Sequence, residues 1–139
     1  RRLHLSLEIL LPLFRKHHVK LLLTGHEHLF EHWVERYQDS TGVYRMDQIV
    51  SGGGGAPLYA YAGEPDLTAY LTANAGNVQV QHLVRPSVDP GANPFHFVVV
   101  NVDGERISVE VVAVDWGRGF APYRSAGAVL SDTGGFRPR

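Results

Sequence analysis

The stretch Leu13-Phe14-Arg15-Lys16-His17-His18-Val19-Lys20-Leu21-Leu22-Leu23-Thr24-Gly25-His26-Glu27-His28 decides the fold. Val19 to Leu23 is short, almost wholly apolar and closed by Thr24-Gly25, as expected of a strand buried on both faces. Upstream, Leu3, Leu7, Leu10, Leu11 and Phe14 recur at helical spacing, with Ser6 as a cap inside the run. Pro12 predicts a kink or a late helix start. Arg15, Lys16, His17 and His18 then fall at the helix end, where positive charge meets the negative end of the dipole. Helix, strand and glycine in that order make an α/β unit, and ligand sites in such sheets gather at the carboxyl ends of the strands.

Downstream, the character turns to β after residue 40. Val43 to Val50 reads as a strand entering Gly52-Gly53-Gly54-Gly55. Residues 56 to 77 are rich in Ala, Gly, Tyr, Asn and Pro, with a helical hint only around Leu67 to Leu71. Val78 to Val84 reads as a further strand with Val78, Val80, His82 and Val84 on one face. Phe95 to Val102 and Arg106 to Val114 form a hairpin through Asp103-Gly104, a dipeptide suited to a type I′ turn. Ile107, Val109, Val111 and Ala113 mark its buried face. The organisation expected is a domain over residues 1–115, followed by a surface-lying or disordered tail over 116–139.

Two histidines one residue apart, directly after a buried strand, are the leading candidates for chemistry. A strand-to-loop transition aims both imidazoles into one cleft, Gly25 permits an unusual backbone angle, and neutral imidazole is a ready metal ligand. The plain alternative is a pair of surface histidines in a loop. The four glycines have two readings as well. Amides at Gly53 and Gly54 suit a phosphate, while a tight turn needs the same residues; no lysine follows as a P-loop requires. His17 and His18 are explained by the helix end, and His82 and His96 by their strands.

The stretch from Leu13 to His28 resembles the last signature block of calcineurin-like metallophosphoesterases, including the purple acid phosphatase branch, in which a helix leads into a strand ending in Gly-His-x-His. Gln48-Ile49-Val50-Ser51-Gly52-Gly53-Gly54-Gly55-Ala56-Pro57-Leu58-Tyr59 resembles the strand and glycine-rich turn that follow it in that family. The resemblance covers about residues 7 to 60. It implies the carboxy-terminal part of an αββα sandwich, with two divalent metal ions (Mn, Fe or Zn) at the junction of two sheets. His26 would ligate one ion and His28 the other, for hydrolysis of a phosphomonoester or phosphodiester by metal-activated water. The family's other ligand motifs, Asp-x-His, Gly-Asp-x-x-Asp, Gly-Asn-His and a further His, do not occur in this chain. The resemblance places them before Arg1, in the upstream half of the same domain. One departure stands out: Leu29-Phe30-Glu31-His32 puts His32 where many relatives carry arginine, leaving His32 as the candidate for that phosphate contact.

Other classes compete. His28-Leu29-Phe30-Glu31-His32 matches the inverted zinc-peptidase motif, which needs residues 28 to 37 to be helical and a third ligand such as Glu64 or Glu105. A folded fragment or interaction module without activity of its own is the alternative from a different class. A metallo-β-lactamase pattern fails at Phe30 and Glu31, and the chain is too short to close an amidohydrolase barrel. Bulk composition narrows the partners. Thirteen basic against fourteen acidic residues leave a net charge of −1, which supplies no basic stripe for nucleic acid. No apolar run reaches the roughly 20 residues of a membrane span. Without cysteine there is no disulfide framework and no thiolate metal site. The chain opens at Arg1 with neither an initiator methionine nor a signal-peptide pattern, so the natural amino terminus is expected upstream, and the compartment, cytoplasmic or exported, stays open.

Overall fold

A computed structural model describes residues 9–74, 76–115 and 119–122. Helix α1 (Leu11–Lys16) begins late, with Pro12 in its first turn, where no intrahelical N–H is required of it. Strand β1 (Leu21–Thr24) follows. Two ten-residue strands come next, β2 (Phe30–Asp39) and β3 (Gly42–Ser51), joined where Asp39 Oδ1 accepts from the Thr41 amide at 2.7 Å. Helix α2 (Leu67–Ala73) then precedes β4 (Val78–Val84), and β5 (Phe95–Asp103) pairs with β6 (Arg106–Asp115) as the expected hairpin. Within residues 116–139, Gly119–Pro122 forms a further strand, β7, paired with β6; the rest of that segment lies outside the described residues.

The fold is mixed α/β and strand-rich, with two open sheets. One has the order β1-β3-β2-β4, the other β5-β6-β7. Only β1 and β3 run parallel in the larger sheet. One of its faces carries Phe30, Ile49 and Val84 against Val109 and Val111 of the smaller sheet. The opposite face carries Tyr37 and Met46 against Leu11 of α1 and Tyr70 of α2. The layers are therefore helices, four-stranded sheet, three-stranded sheet. No helix among the described residues is long and apolar enough to cross a membrane.

A bulge in the β2–β4 pairing turns Val84 to the face opposite Val78 and Val80, so the expected single face over Val78, Val80, His82 and Val84 is not formed. Three further sequence expectations change. First, β1 is an edge strand rather than a strand buried on both faces, and Leu23 is 50% exposed. Second, the hairpin loop is Gly104-Glu105, because Asp103 still pairs with Arg106. Gly104 has φ 58° while Glu105 keeps a negative φ, the sign pattern of a type II′ turn rather than I′. Third, residues 30–39 are a strand. The helix that the zinc-peptidase motif requires is absent from that segment, Glu64 bonds His82, and Glu105 sits in the hairpin turn beside Lys20.

Charged groups inside the sandwich are paired. His32, Asp47 and Arg45 form a buried chain between the sheets: His32 Nε2–H donates to Asp47 Oδ1 at 2.6 Å, and Arg45 donates to both Asp47 oxygens at 2.6 and 2.7 Å. Burial pushes the Asp47 carboxyl up, but the hydrogen bonds from His32 and Arg45 and the charge of Arg45 outweigh it, so the group lies below the usual aspartate range. On the helix side, Arg15 donates to Glu35 at 2.9 Å and to Tyr70, and Tyr70 donates to Glu35. A folded-state value below the unfolded one means that Asp47 stabilises the fold fully above the ordinary aspartate range, and that this contribution disappears as pH falls through the folded value. Asp47→Asn is expected to be less stable than the native protein at pH 7 by about 3 kcal/mol, as for a buried pair that loses one charge. It should also lose less stability on acidification from pH 6 to pH 3, as measured by urea unfolding across that range.

Candidate metal-binding loop

Parallel pairing places the candidate residues. In the β1–β3 register Leu23 faces Ile49 and Thr24 faces Val50, so both strands end together at one edge of the sheet. The chain leaving β1 is Gly25-His26-Glu27-His28, and the chain leaving β3 is Gly52-Gly53-Gly54-Gly55. These two loops therefore lie side by side. The Gly52 amide donates to the Leu29 carbonyl at 3.1 Å. A Cβ on Gly52 would stand 1.9 Å from the Glu27 carbonyl oxygen, so only glycine lets the two backbones approach this closely.

The unusual backbone angle expected of Gly25 falls instead on His26, with φ 79°. A left-handed conformation at a residue bearing a Cβ costs about 1 kcal/mol or more, and such strain concentrates at functional sites. His26 is exposed; His28 is half-buried. The His28 ring is held on two sides. Its Nδ1–H donates to the Pro57 carbonyl at 2.8 Å, and the ring stacks on Tyr59 with centroids 4.3 Å apart. Because a carbonyl only accepts, Nδ1 carries a proton, and in the neutral imidazole this leaves the lone pair on Nε2, the form in which imidazole binds a metal.

The weaker candidates fall elsewhere. His32 is 1% exposed and faces the core between the sheets, its ring held by Asp47. Gly53 is packed rather than open: a Cβ there would lie 2.3 Å from the His96 imidazole, and its carbonyl accepts from the His96 amide at 3.0 Å. Gly54 has open space around its Cβ position. His96 is buried, which pulls its imidazole below the usual histidine range, partly offset by the hydrogen bond to the Pro94 carbonyl. His18 meets Asp39 at 2.8 Å and stacks on Tyr44, so the helix-end histidine has a local partner.

A polar cluster that sequence reasoning missed centres on His82. Its ring stacks on Trp33 at 3.6 Å, Nδ1 lies 2.8 Å from Glu64 Oε1, and Nε2 lies 3.5 Å from Glu31 Oε2. Trp33 Nε1–H donates to Glu31 at 2.7 Å, and Arg85 reaches Glu64 at 3.0 Å. Burial lifts the Glu31 carboxyl above its usual range against the pull of Trp33 and His82. The hydrogen bond from Tyr61 lowers the Glu64 carboxyl, burial pushes it up, and His82 and Arg85 pull it down further, so it lies below its usual range. These residues come from β2, β4, the residue after β4 and the loop before α2, so no local motif links them. No protein-family profile, curated protein or solved structure matches the chain.

The close approach at Gly52 has a direct consequence. Gly52→Ala should destabilise the fold by more than about 1 kcal/mol, because its Cβ meets backbone that must move. Gly54→Ala, whose Cβ meets nothing within 4 Å, should stay within about 0.5 kcal/mol of the native protein. Thermal or urea unfolding of the two variants checks the contrast, and equal effects would count against the side-by-side loop geometry.

Proposed function

We propose that this chain is the carboxy-terminal part of a calcineurin-like metallophosphoesterase catalytic domain. The intact protein hydrolyses a phosphomonoester or phosphodiester, with His26 and His28 as metal ligands. The observation that carries this reading is the His28 ring, whose Nδ1–H is held by a backbone carbonyl at 2.8 Å so that Nε2 is left as the ligand atom. The helix–sheet–sheet layering and the two glycine-containing loops at one sheet edge support it. An imidazole pair without thiolates suits Mn, Fe or Zn. When bound, such ions supply Lewis-acid polarisation of the phosphoester and activation of water.

The chain's own residues bind and orient. His26 and His28 provide two imidazoles from one short loop, Gly52 lets that loop lie against the end of β3, and Gly54 presents backbone in open space beside it. Among the described residues no three His, Cys, Asp or Glu side chains converge on one metal position. On this reading the remaining ligands belong to the upstream half of the domain. The same shortage of ligands favours a second reading, a folded module with no activity of its own.

With full-length protein loaded with Mn, Fe or Zn, His26→Ala and His28→Ala are each expected to lose phosphatase activity. The loss should exceed the roughly 10–100-fold that follows removal of an outer-shell partner. Steady-state assays on a phosphomonoester and a phosphodiester would measure it, and full activity in His28→Ala overturns the reading.

A further inference from the structure

We propose that Tyr59 is a positioning residue for His28, fixing which imidazole nitrogen is offered to a metal. The purpose of this device rests on the metallophosphoesterase reading; its geometry does not. The segment from Pro57 to Tyr59 grips His28 at three points. The Tyr59 amide donates to the His28 carbonyl at 2.9 Å, which pins the backbone. The Pro57 carbonyl accepts from His28 Nδ1–H at 2.8 Å, which selects the tautomer. The Tyr59 ring lies on the imidazole with centroids 4.3 Å apart and planes inclined by 23°, which leaves the ring little freedom to swing off that carbonyl.

Tyr59 is 44% exposed and belongs to neither buried core cluster, so core packing does not account for its position. A free histidine side chain favours the Nε2–H tautomer, the wrong one for a ligand acting through Nε2. Holding Nδ1–H on a carbonyl reverses that preference, and groups that orient a ligand in this way commonly change metal affinity by about 10–100-fold. The stacking depends on the aromatic face and not on the phenol, so phenylalanine should substitute for tyrosine while alanine should not.

The test uses the full-length protein, with the upstream half of the domain present, labelled with ¹⁵N. Long-range ¹H–¹⁵N spectra at pH 8, above the ordinary imidazole range, report the neutral tautomer of His28. The native chain and Tyr59→Phe should show protonated Nδ1. Tyr59→Ala should shift toward protonated Nε2 and bind Zn²⁺ about tenfold more weakly by calorimetric titration. A native His28 protonated on Nε2 overturns the proposal, as does a Tyr59→Ala chain with unchanged tautomer and unchanged Zn²⁺ affinity. If the tautomer depends on Tyr59 as described but Zn²⁺ does not bind any of the three proteins, the positioning role stands and the metal reading of the loop fails.

Discussion

The site depends on the parallel pairing of β1 with β3. Four residues of register, Leu21 to Thr24 against Asp47 to Val50, bring two loops that are more than twenty residues apart in sequence to the same edge of one sheet. A one-residue slip in that ladder would turn every side chain of β1 to the other face, moving Leu21 out of the core between the sheets. It would also displace the histidine loop along the glycine turn. The ladder is short, so β3 needs its position fixed from elsewhere. That comes from β2, which pairs with β3 along its whole length from Phe30–Ser51 to Asp39–Gly42.

β2 is also where sequence reading stopped short. Val78 to Val84, the hairpin and the strand into the glycines were legible because apolar and β-branched residues alternate or cluster there. β2 begins with Phe30-Glu31-His32, part of a motif that requires a helix, and contains Glu35 and Arg36, charges that interrupt any apolar run. Its two faces are both covered, one by the second sheet and one by the helices, so the alternation of a half-exposed strand is missing. The buried charges survive there because each has a partner that sequence order conceals: His32 finds Asp47 across the ladder, and Glu35 finds Arg15 from α1 and Tyr70 from α2. Trp33, Val34 and Tyr37 were the available β signals, together with the Asp39-to-Gly42 turn.

At the candidate site the histidines were legible as a pair, but their environment was not. Nothing in Gly25-His26-Glu27-His28 reveals that the left-handed angle belongs to His26, or that Pro57 and Tyr59 return to grip His28. Those contacts arise from a loop whose path is set by the two strands around it. In sequence the glycines are one run, suited to a phosphate or to a tight turn, whereas in the structure each has a different neighbour. Gly52 meets the Glu27 backbone, Gly53 meets the His96 ring, and Gly54 meets nothing within 4 Å.

That difference ties the loop to the hydrophobic core. Phe30 follows His28 by two residues, is 2% exposed, and meets the His96 ring edge-on with centroids 5.3 Å apart. His96 in turn fills the space beside Gly53 and takes its carbonyl through the backbone amide. A continuous path therefore runs from the core between the sheets, through Phe30 and His96, to both loops at the sheet edge. Displacing His28 would disturb Phe30 and the well-packed interior beneath it, where small changes in volume carry a measurable cost. The core holds one end of the loop through Phe30, while the segment from Pro57 to Tyr59 holds His28.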